Sequence, residues 1–135
     1  MAGYAATPQA RKLGLQPGRR VALDHAPDGW HLDDPPEVEF VPDGPVDVLL
    51  TFVRSAAELH PGPWGERIFP DGAMWVAWPR KAAGHVSDVT ENGIRDAVLP
   101  LGLVDVKVAA IDEDWSGLKI VWRQANRSTP KRSSG

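Results

Sequence analysis

Val46-Asp47-Val48-Leu49-Leu50-Thr51-Phe52-Val53 is the stretch that decides the fold. Apart from Asp47 and Thr51 it offers water no polar side chain, so both of its faces must be covered. It has the length of a strand, and its Val, Leu and Phe favour strand over helix. Strands buried on both faces belong mostly to parallel sheets with helices packed on either side. Arg54 follows at once, then Ser55-Ala56-Ala57-Glu58, a capping box that predicts a helix start. A buried strand that ends in a charge and turns into a helix is the unit of an open α/β fold. The fold class read from it is α/β, with a mostly parallel sheet and short helices on both faces.

Toward the N-terminus, Thr7-Pro8 opens a short helix that Gly14 stops. After the turn Leu15-Gln16-Pro17-Gly18, Arg20 to His25 is the first strand. Ala26-Pro27-Asp28-Gly29-Trp30 has turn chemistry, and the interval up to Pro36 has room for one helical turn. Glu37 to Val41 alternates polar with apolar, the mark of a strand with one wet face. Toward the C-terminus, His60-Pro61-Gly62-Pro63 forbids helix continuation. Trp64 to Pro70 then reads as an irregular lid, Asp71-Gly72 as a turn, and Ala73 to Trp78 as a strand ended by Pro79. Asp88 and Glu91 form a second capping signature before Ile94, Ala97, Val98 and Leu101, an amphipathic helix. Leu103 to Ile111 and Leu118 to Trp122 are joined by a length that suits a C-terminal antiparallel hairpin. The expected organisation is one domain over 1–123 and a basic, disordered tail over 124–135.

With 135 residues and 42% hydrophobic content, the chain can bury a single core. No apolar stretch reaches the roughly 18 residues of a membrane span. Met1 to Gly18 lacks a basic-then-apolar leader, so the expected location is the cytoplasm. The absence of cysteine excludes disulfides, a thiolate nucleophile and cysteine-ligated metal. The net charge of -3 is uneven: Arg123 to Gly135 holds four bases and no acid, which leaves 11 bases against 18 acids, or -7, on the body. An acidic body argues against a nucleic-acid-binding face and leaves only the tail for phosphate contacts.

The turn Leu15 to Gly18 before a strand, an acidic-ended second strand, Pro42-Asp43-Gly44 before a later strand and a terminal hairpin resemble class I methyltransferases. That resemblance implies a minimal Rossmann-like domain over residues 13–123. Those enzymes hold S-adenosylmethionine with an acidic and glycine-rich loop after the first strand. Here the loop is Asp24-His25-Ala26-Pro27-Asp28-Gly29, with one glycine and a proline that removes a donor, so no cofactor is expected. Trp78-Pro79-Arg80-Lys81, the Asp88 to Arg95 helix start, Gly102 to Val108, and Asp112 to Lys119 resemble an uncharacterised bacterial family known as domain of unknown function thirty fifty-two. That second resemblance implies no reaction.

In open α/β sheets ligands bind beyond the carboxyl ends of the parallel strands. The rule selects Asp24 and His25, Asp43, Arg54 and Ser55, and Trp78, Arg80 and Lys81 as ligand-binding candidates for an anionic or zwitterionic ligand. Asp24 and His25, adjacent on a strand, should face opposite ways, so no triad is expected. Asp112-Glu113-Asp114 reads as a solvated turn, because it lacks the spaced ligands of a calcium loop. His31, His60 and His85 have no metal spacing. Lys107 and Lys119 on the hairpin arms are expected to pair with Asp105 and Asp112. Trp75 is expected in the core, Trp78 in the strand-end crevice, and Trp30, Trp64 and Trp115 as loop plugs or, if exposed, a protein-binding patch. Two functions follow: a non-catalytic binding or interaction module for an unknown protein or small anionic ligand, or a small transferase-like enzyme.

Overall fold

The computed structural model describes residues 8–123; the expected tail and the Thr7 cap lie outside the described residues. Its centre is the strand read first. Strand β3 (Val46–Phe52) is buried at every position, between β1 (Arg20–Asp24) and β4 (Ile68–Pro79), with which it runs parallel. Val48, Leu50 and Phe52 pack into one core with Val21 and Trp75, while Val46, Leu49 and Val53 join Met74, Val76 and Ile120 on the other face. Each such side chain withdrawn from water contributes about 1.5–3 kcal/mol.

The sheet has six strands in the order β2-β1-β3-β4-β6-β5. Short β2 (Glu39–Phe40) pairs parallel with β1. The hairpin of β5 (Leu103–Ala110) and β6 (Trp115–Trp122) joins antiparallel through β6. The sheet is therefore mostly parallel, with antiparallel strands at the C-terminal side. Helix α1 (Gln9–Leu13) covers one face through Leu13. Helices α2 (Pro61–Arg67) and α3 (Glu91–Val98) cover the other through Trp64, Ile94 and Val98.

Several expectations are corrected. The prolines after His60 begin a helix rather than forbid one. Pro61 occupies the first helical position, where a missing N–H leaves no bond unmade. The irregular lid is therefore α2 followed directly by β4. Asp71-Gly72 is an irregularity inside β4, where register with β3 slips between Val46 and Val48. A Cβ on Gly72 would lie 2.8 Å from the Asp47 carbonyl. The expected helical turn between Trp30 and Pro36 does not form, so an irregular segment, not a crossover helix, links β1 to β2. Ser55 caps nothing: Ala56–Glu58 is a single 3-10 turn. The N-cap of α3 is Thr90, which accepts from the Gly93 N–H at 2.9 Å. Leu101 falls beyond α3 in a 3-10 turn and is exposed. On the hairpin, Asp105 turns to Arg95 at 3.0 Å, and Lys107 stands directly opposite Lys119.

Candidate functional site at the carboxyl ends of the parallel strands

Strand β1 lies between β2, its successor in the chain, and β3, so the chain reverses its direction of travel between β1 and β3. Such a switch point opens a crevice at the carboxyl ends. Two hollows occupy it. The smaller, about 160 Å³, is lined by His25, Phe52, Glu58, His60 and Trp64. The larger, about 450 Å³, opens among Pro27, Arg54, Pro79, Val86, Asp114 and Trp115.

The first strand ends at Asp24, and His25 adopts a left-handed φ of 58°. This conformation is uncommon for a residue with a side chain. It overturns the expectation that the two face apart, which assumed that the strand continued. His25 Nδ1 lies 3.1 Å from Asp24 Oδ1. The other Asp24 oxygen accepts from Thr51 Oγ1 at 3.1 Å, and Thr51 is fully buried in β3. A buried hydroxyl thus orients the acid, and the acid orients an exposed imidazole. No serine or cysteine lines either hollow among the described residues.

Arg54 is exposed where β3 gives way to the 3-10 turn, and its guanidinium lies over the Trp115 ring, 5.4 Å from the centroid. Its backbone N–H is taken by Glu58 Oε1 at 2.8 Å, and the Ala56 N–H by Asp88 Oδ1 at 2.8 Å. The backbone N–H groups on either side of Ser55 are therefore already taken by carboxylates. Arg80 is also redirected. Its Nη1 donates to the carbonyls of Asp112 and Glu113, and its backbone N–H to the Asp114 carbonyl, so it holds the hairpin tip. Lys81 is exposed in the 3-10 turn Lys81–Ala83. Trp78 does not reach the crevice. It is buried in the core with Val89, Ile94 and Val98, because its face of β4 lies under α3.

Asp43 is placed at the other end of the sheet. Because β2 stops after two residues, the turn that follows it leads back to the amino end of β3. There Arg20 Nε donates to the Pro45 carbonyl and Arg67 Nε to the Gly44 carbonyl. Two residues that pattern alone did not select face the larger hollow. His85 Nε2 is 3.0 Å from Asp114 Oδ1, which ties the segment after β4 to the hairpin tip. Trp115 supplies the ring under Arg54. No spacing in the sequence marks either: Trp115 is brought there by the hairpin's return, and His85 by the segment that leaves β4.

The tryptophans act as plugs. Trp30 and Trp115 both meet Phe52 edge-on, at centroid separations of 4.8 and 4.9 Å. Trp30 Nε1 donates to Asp112 Oδ2 at 2.8 Å. Trp64 and Trp115 are buried, and Trp75 is fully buried as expected.

No protein-family model matches the chain, and no curated sequence does. The resemblance to domain of unknown function thirty fifty-two therefore rests on the sequence segments alone. Among solved structures, the chain is similar to a ribosomal protein L11 methylase from Lactobacillus delbrueckii subsp. bulgaricus. Identity is 12%, the match covers 86% of this chain and 76% of that one, and the TM-score is 0.51. At that identity the likeness is of the fold, a methyltransferase-like α/β sheet. Among the described residues no helix is long and apolar enough to cross a membrane.

The residues present do not fit the adenosyl cofactor that the fold implies. Gly29 is the one glycine in the loop after β1, Pro27 lacks a donor, and the Trp30 ring packs on Phe52 at the strand ends. The acid that should follow β2 is at the opposite end of the sheet.

Proposed function

We propose that the chain is a non-catalytic Rossmann-like binding module whose carboxyl-end hollow takes an anionic ligand instead of an adenosyl cofactor. The observation that carries this reading is the Arg54 guanidinium, laid on Trp115 at the larger hollow. Arg19, Arg95, Arg20 and Arg67 are all engaged by carboxylates or carbonyls, and Arg80 by the hairpin tip. Arg54 has no acidic partner among the described residues. A guanidinium already desolvated on one face, with its N–H edges free, is suited to a planar anion. Titration with small anions, followed by tryptophan fluorescence, tests the reading. Saturable quenching that Arg54→Gln abolishes is expected. Stabilisation by S-adenosylmethionine with no response to any small anion would overturn it.

The Thr51–Asp24–His25 chain favours a second reading, a small transferase-like enzyme in which His25 moves a proton. Its mark would be a turnover that His25→Gln removes while ligand binding persists.

A further inference from the structure

The walls of the larger hollow narrow the ligand. We infer that it accepts a small apolar monocarboxylate, an acid group on an aryl or branched aliphatic body. This inference rests on the binding reading above and adds the ligand's class. Beside Arg54 the hollow is walled by Pro27, Pro79, Trp115 and Val86. Val86 is 96% exposed, an aliphatic side chain held wholly in water beside a cation without an acidic partner. One ligand with a charge at one end and an apolar body at the other covers both.

Charge count separates a carboxylate from a phosphate. Arg80, the other guanidinium nearby, is occupied by the hairpin carbonyls. The remaining basic group at the wall, His85, is tied to Asp114, and that carboxylate itself lines the hollow. One available cation facing one fixed acid favours a single negative charge and repels a dianion. A guanidinium fork matches a carboxylate through two parallel N–H···O bonds. The volume, about 450 Å³, lies within the roughly 300–1,000 Å³ of small-molecule sites.

The test uses the full chain and three probes, phenylacetate, phenylacetamide and inorganic phosphate, with the indole N–H cross-peak of Trp115 and the melting temperature as readouts. Phenylacetate should shift the cross-peak saturably by about 10 mM, a weak but specific affinity. Phenylacetamide should bind at least about tenfold more weakly, because it lacks the charge that Arg54 pairs. Val86→Ser should weaken phenylacetate about threefold or more without changing the melting temperature of the free protein. If phosphate binds as well as phenylacetate and Arg54→Gln removes both, the apolar-acid inference fails and the anion site stands. If neither anion moves the cross-peak, both readings fail. Binding of phenylacetate that survives Arg54→Gln also overturns the inference.

Discussion

The two ends of the sheet treat charge differently. At the amino end the polar groups close on one another. Asp47, buried in β3, accepts from the Arg20 N–H at 2.8 Å and from Arg19 Nη1 at 3.2 Å. Arg20 and Arg67 hold the carbonyls of the turn that enters β3. At the carboxyl end the groups remain available. Arg54 lies on a ring without an acid, His25 points outward from Asp24, and two hollows lie between the loops. One end fastens the chain entering its central strand; the other leaves open what solvent or a ligand can reach.

The sharpest way to break this contrast is to cut the amino-end fastening. Asp47→Ala would leave the Arg20 N–H and the partly exposed Arg19 guanidinium without their carboxylate. A loss of about 2 kcal/mol is expected, since the buried carboxylate and its bond to the Arg20 N–H are lost while water can reach Arg19. A urea midpoint measured against the parent checks it, and a change under about 1 kcal/mol would erase the contrast.

Thr51→Val probes how far the carboxyl end depends on the core beneath it. Valine keeps the volume and removes the hydroxyl that Asp24 accepts. Asp24 is partly exposed, so water can replace that bond, and the cost should be about 1 kcal/mol. The imidazole resonances of His25 should also broaden or move, because the acid that orients the ring loses its own anchor. Unchanged His25 resonances would mean that the ring is held by its left-handed backbone alone.

The legibility of the sequence follows the same division. The buried central strand, the hairpin and α3 were readable because an apolar pattern forces an element to find cover, wherever its partner lies. Strand ends were not, since hydrophobicity does not tell where hydrogen bonding stops. The apolar pattern carries β1 through His25, which hides the approach of its ring to Asp24. The same pattern puts Asp43 at a carboxyl end, because the length of β2 has no sequence mark. Glu58 and Asp88 were recognised as capping acids, but their real partners are the backbone N–H groups of Arg54 and Ala56, and Asp88's lies far away in the chain. Of the candidate site, Asp24, His25 and Arg54 lie at the crevice, whereas Trp78 and Asp43 do not. Trp115 and His85 belong there and carried no local signal.

A smaller effect tests a contact distant from both ends. Arg95 bridges Glu91 on its own helix and Asp105 on β5, each at 3.0 Å. The hydrogen bond from Arg95 holds the Asp105 carboxyl below its ordinary value of 3.8. A carboxyl whose folded pKa lies below its unfolded one adds stability above the unfolded value and loses it as pH falls through the folded one. Stability should therefore decline more steeply below about pH 4 in the parent than in Asp105→Asn. The pair is solvent-reachable, so salt should shrink the difference. Parallel acid-unfolding curves for the two proteins would show that the bridge is idle.

The smallest stability effect carries the most functional weight. Arg54→Ala removes an exposed side chain that contacts one ring, and the Glu58 bond to its backbone N–H survives the substitution. The folded state should change by no more than about 0.5 kcal/mol, within the range of surface substitutions. Anion binding should nevertheless vanish, because no other guanidinium lines the larger hollow among the described residues. The same substitution thus separates the two ends of the sheet. Where a charge fastens the fold, removing it costs stability; where it awaits a ligand, removing it costs only the ligand. A drop above about 2 kcal/mol on removing Arg54 would assign it to the first kind. The carboxyl-end hollow would then be a gap in packing rather than a place for a guest.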